Sequence, residues 1–389
     1  MEAFSSDLSA DSILSRLSLI IPDFHIVDGN TLIFLDEIQE CPEARTALKF
    51  LAECKRVDVI SSGSLLGVKY KDVSSYPVGY VEYLTMYPLD FEEFMLASGL
   101  SESIIKSIAD SFDNRTPVDS FVHTKLLELF RTYIVVGGMP NVVEHYIVTK
   151  NFQEVINMQR AILKDYELDI VRYAKGSEKQ KIRACFLSIP KQLAKANHKF
   201  QYSAVEKGST RRKYGTSILW LSDANLALFC YNISRLEFPL SAYKEDDDFK
   251  LYLCDTGLLV SMYEEGTAKD LICGEFGLHK GAIYENAIAQ QLAANGFPIY
   301  FYKPSQTLEI DFVIRFDNEV TPIEVKTGYD VRSKSLSAIL AKGNGVKKAI
   351  RISARNVGEE NGIISIPLYM AYLIKPDSKD FLTLVSNHQ

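Results

Sequence analysis

The sequence predicts an α/β protein of several blocks, and three observations support this fold class. A short apolar strand (Leu32 to Leu35), a helix (about Glu43 to Cys54) and a second strand (Val57 to Ile60) follow one another, as in a strand–helix–strand unit of a parallel sheet. Between about Phe91 and Ala174 the apolar residues mostly follow a helical period, and Gly137-Gly138-Met139-Pro140 predicts a turn between helices there. From Lys280 onward, helix and strand patterns alternate again.

Length and composition limit the function classes. A chain of 389 residues exceeds what one hydrophobic core usually serves, so two or three domains are expected. The formal net charge of -7 excludes a protein that coats nucleic acid through bulk positive charge. The six cysteines are scattered without a CxxC pair, which favours reduced thiols over a zinc site. With no run of eighteen apolar residues and no basic leader, we expect no membrane span and a cytoplasmic location.

The middle of the chain combines helical segments, a basic run and then a β-rich stretch from Leu236 to Leu259. This order suits a winged-helix arrangement. The basic run consists of Lys207, Arg211, Arg212 and Lys213. It predicts local contact with DNA phosphates, and a solvated loop is the alternative interpretation.

The last block is predicted to begin with a helix and to continue with three strands, a helix and a strand. The predicted ranges are 280–294 for the first helix, 299–302, 309–315 and 320–326 for the strands, 333–341 for the second helix and 349–352 for the last strand. The predicted domains are residues 1–99, 100–270 and 271–389.

Two carboxylates, Asp36 and Glu37, come directly after the first buried strand. Ligands of open α/β sheets bind at that edge. In a nucleoside triphosphatase the first acid holds Mg²⁺ and the next one polarises the attacking water. Ser64, after the second strand, is placed where a side chain could sense the γ-phosphate. A plain strand end followed by a helix start is the alternative.

Four segments together resemble a large family of prokaryotic AAA-type ATPases with a C-terminal domain of poorly defined function. They are Leu35 to Pro42 (LDEIQECP), Ile60 to Gly67 (ISSGSLLG), Met86 to Phe94 (MYPLDFEEF) and Gly137 to Pro140 (GGMP). The resemblance covers nearly the whole chain. It implies a partial AAA-type parallel sheet in the first block, with ATP and Mg²⁺ as its ligands.

Two departures from that family stand out. Its members carry a phosphate-binding loop upstream of the acidic strand, and no G-x-x-x-x-G-K-[ST] occurs in this sequence. Tyr80 stands where relatives often have a basic residue that could act as an arginine finger. We therefore expect the ATPase half to be truncated or degenerate.

Residues 309–326 predict a β-hairpin whose two-residue turn is Asp317-Asn318. A turn centred there places Asp311 opposite Glu324, and the period of two places Lys326 on the same face. Opposed carboxylates repel unless a cation lies between them. Two carboxylates that hold Mg²⁺, with a lysine beside them, would form a phosphodiesterase site.

This arrangement resembles the PD-(D/E)XK nuclease motif, here as Asp311, Glu324 and Lys326, in a restriction-endonuclease-like α/β domain. Such folds often add a glutamate from a preceding helix, and Glu285 is the candidate. A solvated Glu324–Lys326 pair is the alternative. The predicted function is that of an AAA-family ATP-binding protein acting with DNA, with a monomer and an oligomer both left open. A Mg²⁺-dependent nuclease and a non-catalytic interaction protein are the alternatives.

Overall fold

The computed structural model describes residues 2–5, 7–63, 79–174, 176–195, 198–274, 280–329, 333–341 and 345–377. Its contacts divide the chain into two compact units. The first unit comprises residues 1–86 and 219–226, and the second comprises residues 87–218 and 227–389. Among the described residues, none of the helices combines the length and the apolar character that crossing a membrane requires.

The helices and strands are numbered in chain order. The helices are α1 (Ala10–Ile20), α2 (Pro42–Cys54), α3 (Phe91–Ala97), α4 (Glu102–Asp113), α5 (Ser120–Val136), α6 (Pro140–Thr149), α7 (Phe152–Tyr173), α8 (Glu178–Leu193), α9 (Tyr202–Val205), α10 (Arg211–Asp223), α11 (Thr256–Ser261), α12 (Thr267–Cys273), α13 (Lys280–Ala294) and α14 (Lys334–Ala341). The strands are β1 (Thr31–Leu35), β2 (Val57–Ser61), β3 (Ala227–Ile233), β4 (Lys244–Leu253), β5 (Tyr300–Ser305), β6 (Leu308–Phe316), β7 (Glu319–Val325), β8 (Ala349–Ser353), β9 (Gly358–Glu360) and β10 (Ile363–Pro367).

In the first unit, β1 and β2 pair in parallel, with α2 between them in sequence. The predicted strand–helix–strand unit is therefore confirmed. Its core is made by apolar side chains of α1, α2 and the two strands, including Leu14, Ile33, Leu51 and Val57. Because the strands run in parallel, their carboxyl ends lie side by side, and the residues that follow each strand meet there.

The predicted break between helices at Gly137-Gly138 is also confirmed, because it separates α5 from α6. Gly138 passes so close to Leu89 that a Cβ there would lie 2.2 Å from the Leu89 carbonyl oxygen. The Gly138 N–H donates to the carboxylate of Asp255 at 2.6 Å, and the Leu258 N–H donates to the same carboxylate at 2.8 Å. Asp255 thereby joins the turn to the start of α11.

An eight-stranded mixed sheet organises the second unit, in the order β4-β3-β5-β6-β7-β8-β10-β9. The predicted helix at 280–294 and the four predicted strands of the last block are all present. β9 and β10 were not predicted. α11 begins within the stretch that we expected to be β-rich. The Asp255 side chain caps its first turn and thereby favours a helix there.

The winged-helix prediction is not confirmed. The hairpin expected to act as its wing is formed by β3 and β4, and β3 continues into the large sheet by pairing in parallel with β5. Strands from both sides of the predicted boundary at residue 270 therefore share one sheet. The boundaries at 99 and 270 remain predictions, and the contacts divide the chain at residue 86.

Helices α13 and α14 are among those that pack on this sheet. α13 contacts β3, β4 and β7, and its Asn286 pairs with both backbone groups of Leu253, at 2.8 Å and 3.1 Å. α14 contacts β6 and β7, and its buried Leu336 and Ile339 join the core of the sheet. The polar side chains of α13 are therefore held at fixed places beside β4.

Candidate functional site

The first candidate site lies at the carboxyl ends of β1 and β2. Asp36 and Glu37 follow β1 and are exposed. The Ser62 hydroxyl, which follows β2, donates to the Asp36 carboxylate and accepts the Glu37 N–H at 3.2 Å. The Ser62 N–H donates to the Leu35 carbonyl at 3.0 Å, so the two strand ends are tied together.

Glu37 adopts a left-handed backbone conformation, with φ 49° and ψ 50°. Residues with a Cβ seldom adopt this region, and such strain is concentrated at functional sites. The Glu37 carboxylate accepts a hydrogen bond from the amide of Gln39. Asp36 and Glu37 therefore lie in a tight backbone turn and not at a regular helix start.

Sequence reasoning did not identify a partner for Asp36. The predicted sensor of the γ-phosphate, Ser64, lies outside the described residues and stays a prediction. Ser62 is the side chain that the structure places against Asp36. The signal was available, because Ser62 is the first residue after β2, just as Asp36 is the first residue after β1.

This edge offers the hard oxygen donors that Mg²⁺ prefers, a carboxylate and a neighbouring hydroxyl. Among the described residues, no three acidic, histidine or cysteine side chains gather as a metal cage. Mg²⁺ commonly uses one or two carboxylates together with waters and substrate phosphates. The residues at this edge therefore fit a Mg²⁺ ion that arrives with a phosphorylated ligand.

The second candidate site is built on the hairpin of β6 and β7. The predicted register is confirmed: Phe312 pairs with Ile323 and Phe316 with Glu319. Both turn residues, Asp317 and Asn318, have positive φ, at 51° and 57°. This is the geometry of a two-residue turn that matches the twist of the strands.

Asp311 lies one residue beyond the last pair of the hairpin. Its Oδ2 accepts the Val325 N–H at 2.8 Å. Glu324 is buried, with an exposed fraction of 5%, and its Oε1 lies 2.9 Å from the Lys326 ammonium. Its other oxygen, Oε2, is buried and has no hydrogen-bond partner among the described residues.

The charges that act on the Lys326 ammonium come from the other predicted site residues, Glu324, Asp311 and Glu285. Burial lowers the pKa of this ammonium, but the Glu324 carboxylate and the charges of Asp311 and Glu285 outweigh burial and raise that pKa. Burial and the charge of Glu285 together raise the pKa of Asp311 to about 7. Glu285 reaches the hairpin from α13, as predicted. The four residues lie in one neighbourhood, while their catalytic roles remain predictions.

Sequence reasoning missed a buried cation in this neighbourhood. Lys250, on β4, is 0% exposed, and its Nζ lies 2.8 Å from Glu309 Oε1 and 3.4 Å from Glu285 Oε2. Burial lowers the pKa of Lys250, but the charges of Glu285, Asp311 and Glu309 outweigh burial and raise it. The signal was a lone lysine in the apolar run Phe249 to Leu253.

Glu285 Oε2 has two further partners that sequence reasoning missed. The Tyr252 hydroxyl donates to it at 3.0 Å, and His198 Nδ1 lies 3.1 Å away. Burial raises the pKa of Glu285, but Lys250 and His198 outweigh burial and lower it to about 2. Glu309 is likewise shared, because its second oxygen pairs with Lys303.

We tested whether this donor set fits the divalent cation that the nuclease motif implies. Glu285 Oε2 is engaged by an ammonium, a phenol and an imidazole, and Asp311 Oδ2 by a backbone N–H. No three ligating side chains gather as a metal cage in the described part of the chain. The ammonium of Lys250 already lies between Glu285 and Glu309. The residues present do not fit a resident divalent cation.

The basic run lies on and before α10 and is exposed. Arg211 pairs with Asp247, and the Lys213 ammonium lies 2.7 Å from Glu206. In the described part of the chain, no ion pair is recorded for Lys207 or Arg212. Acidic partners therefore neutralise half of the predicted DNA-contacting charge.

Comparison with known proteins gives matches in three parts of the chain. A family model described as an AAA domain matches residues 4–95. Two models described as domains of unknown function match residues 127–269 and 280–370. No curated protein matches the chain. A Walker-type ATPase of Pyrococcus abyssi is similar over 66% of this chain and 68% of that one, with 14% identity and a TM-score of 0.36. Residues 4–95, which include the Asp36–Glu37 edge, therefore resemble an AAA domain.

Proposed function

We propose that this protein is ATPase-like and that the edge formed by Asp36, Glu37 and Ser62 is the metal-binding and water-activating part of an AAA-type nucleotide site. The observation that carries the proposal is the Asp36 carboxylate held by the Ser62 hydroxyl at the ends of two parallel strands. The AAA domain match over residues 4–95 supports it. ATP with Mg²⁺ is the proposed ligand.

Each residue has a distinct role in this proposal. Asp36 would hold Mg²⁺, which supplies positive charge beside the phosphates. Glu37, which is exposed and has a left-handed backbone conformation, would accept a proton from the attacking water. Ser62 positions Asp36, because its hydroxyl bridges the carboxylate and the Glu37 N–H.

Affinity should be low, because the sequence contains no G-x-x-x-x-G-K-[ST] loop. Such a loop supplies several backbone N–H donors and a lysine to the phosphates. Without them, most of the attraction must come through the metal at Asp36. We therefore expect Mg-ATP to bind in the millimolar range and ATP without Mg²⁺ to bind more weakly still.

Calorimetry with Mg-ATP, and with ATP plus a chelator, tests the proposal. Asp36→Asn should abolish the Mg²⁺-dependent part of the binding. Asp58→Asn is the matched control, because Asp58 is an exposed carboxylate in the middle of β2 rather than at its end. Identical titrations of the wild type and Asp36→Asn would contradict the proposed site. Micromolar binding would show instead that a phosphate cradle exists elsewhere.

DNA remains the proposed macromolecular partner, through Lys207, Arg211, Arg212 and Lys213. Contacts to phosphates release counterions, so binding should weaken as salt rises. Arg211→Glu with Arg212→Glu should lower both the affinity and the salt slope. Reversal of Lys106 and Lys164, two exposed lysines outside the run, is the matched control. If the dependence of DNA affinity on salt is unchanged in the variant, the basic run is interpreted as a solvated loop.

A second candidate function is metal-dependent cleavage of DNA by the C-terminal site. The Asp311 carboxylate, which accepts the Val325 N–H beside the Glu324–Lys326 ion pair, favours it, and the buried Lys250 ammonium beside Glu285 disfavours it. Nicking of plasmid DNA with Mg²⁺ or Mn²⁺, abolished by Lys326→Ala, would establish the nuclease. Absence of cleavage with both metals would leave the domain as a binding module.

A further inference from the structure

We propose that Lys250 is the built-in cation of the C-terminal carboxylate cluster and takes the place that a divalent metal ion would otherwise occupy. The cluster is defined here as Glu285, Glu309, Asp311 and Glu324 with the three lysines Lys250, Lys303 and Lys326. The inference concerns a different site from the proposed nucleotide site. It predicts that the C-terminal carboxylate cluster binds no divalent cation and needs none for its stability.

Geometry is the first support. Lys250 has no exposed surface, whereas Lys303 and Lys326 are partly exposed at the margin of the cluster. Its ammonium is shared by carboxylates from two separate elements, Glu309 on β6 and Glu285 on α13. An ammonium that bridges acids from different elements holds them together as a metal ion does.

Charge balance is the second support. Each of the three lysines pairs with at least one of the four carboxylates. His198 also contacts Glu285 and would add positive charge when protonated. Little negative charge is left to attract a doubly charged ion, and repulsion from Lys250 would oppose one strongly in a buried setting.

The hydrogen bonds of Glu285 are the third support. One carboxylate oxygen, Oε2, already has the Lys250 ammonium at 3.4 Å, the Tyr252 hydroxyl at 3.0 Å and His198 at 3.1 Å. A metal ion bound to this oxygen would have to displace these partners. Moving Lys250 would leave a buried charge without a partner, which is strongly unfavourable.

Whether the cluster holds an ammonium or a metal ion distinguishes a non-catalytic C-terminal domain from a nuclease. A phosphodiesterase of the PD-(D/E)XK type needs a metal ion to activate water. An ammonium on a fixed side chain stabilises carboxylates but has no open coordination position for water. The cluster is thereby suited to hold α13 against β4 and β6.

Titration with Mn²⁺ tests the inference directly, followed by the electron paramagnetic resonance signal of free Mn²⁺ and by thermal unfolding. The full chain carrying Asp36→Asn is used, so that metal at the proposed nucleotide site does not contribute. This chain should leave the Mn²⁺ signal unchanged, and its melting temperature should be the same in Mn²⁺ and in chelator.

Removing the built-in cation should create a metal site. Lys250→Met, added to Asp36→Asn, should bind Mn²⁺ and recover melting temperature when Mn²⁺ is present. A further Glu285→Gln should abolish both effects. Lys199→Met is the matched control, because Lys199 pairs with Asp248 of β4 but lies outside the cluster; it should gain no Mn²⁺ binding.

Two results would overturn the inference. One is Mn²⁺ binding by the Asp36→Asn chain that disappears with Asp311→Asn, since the acids would then hold a metal beside Lys250. The other is a folded Lys250→Met chain that binds no Mn²⁺. If the Lys250→Met chain does not fold, the titration of the Asp36→Asn chain decides alone.

Discussion

The two candidate sites differ in what holds their carboxylates. Asp36 and Glu37 are exposed and are positioned by one hydroxyl and by the turn of the backbone. Glu285 is buried and is positioned by an ammonium, a phenol and an imidazole. The first site is open to a charged ligand, whereas three lysines of the protein already pair with carboxylates of the second site.

This contrast also predicts where charge matters for stability. Exposed charges interact through water and contribute little to the free energy of unfolding. A buried charge that loses its partner is costly, because nothing replaces the lost hydration. Acidic residues in the two units, exposed after β1 in one and buried on α13 in the other, are therefore expected to differ in how much their charges affect stability.

The largest effect should come from Lys250→Met. It leaves Glu285 and Glu309 without their shared cation, so the free energy of unfolding should fall by about 3–5 kcal/mol. Denaturant unfolding without added metal measures it. Lys199→Met, at a partly exposed ion pair, should cost less than about 1 kcal/mol. Equal losses in the two variants would contradict the central position of Lys250.

A smaller effect with a defined pH dependence is expected for Asp311→Asn. The folded-state pKa of Asp311 is raised to about 7 from 3.8. Its contribution to stability is therefore full below pH 3.8 and is lost as the pH rises through 7. Asparagine does not titrate, so the variant should gain stability over the wild type between pH 4 and pH 8, by more than about 1 kcal/mol.

Denaturant unfolding across that pH range measures the difference. Asp317→Asn is the matched control, because Asp317 is exposed in the hairpin turn and asparagine tolerates its positive φ. That variant should follow the wild type at every pH. A constant offset between Asp311→Asn and the wild type would mean that Asp311 stays ionised throughout.

Local patterns predicted the parts of the structure that local forces decide. The Asp317-Asn318 turn and the alternation of residues fix the hairpin register, so the approach of Asp311, Glu324 and Lys326 could be predicted. Parallel pairing of β1 with β2 followed from the short strand–helix–strand spacing. The predicted helix at 280–294 placed Glu285 correctly on α13.

Long-range pairing was not predictable in this way. The pairing of β3 with β5 joins residues that are about 70 positions apart, and no local period encodes it. Lys250 was missed for the same reason, since its partners Glu285 and Glu309 come from other elements. Ser62 was missed because the predicted second strand ended one residue early, at Ile60 rather than at Ser61.

The smallest effect on stability should come from Ser62→Ala, and it sharpens the contrast between the sites. The Ser62 hydroxyl is partly exposed, so its hydrogen bonds to Asp36 and to the Glu37 N–H can be replaced by water. The free energy of unfolding should change by less than about 1 kcal/mol.

Because Asp36 loses its positioning partner in Ser62→Ala, the Mg²⁺-dependent part of ATP binding should nevertheless fall. Ser62→Thr, which keeps the hydroxyl, should retain it. Calorimetry with Mg-ATP and denaturant unfolding of the same three proteins measure both quantities. A loss of stability as large as that of Lys250→Met would show that the first site, like the second, serves the fold rather than a ligand.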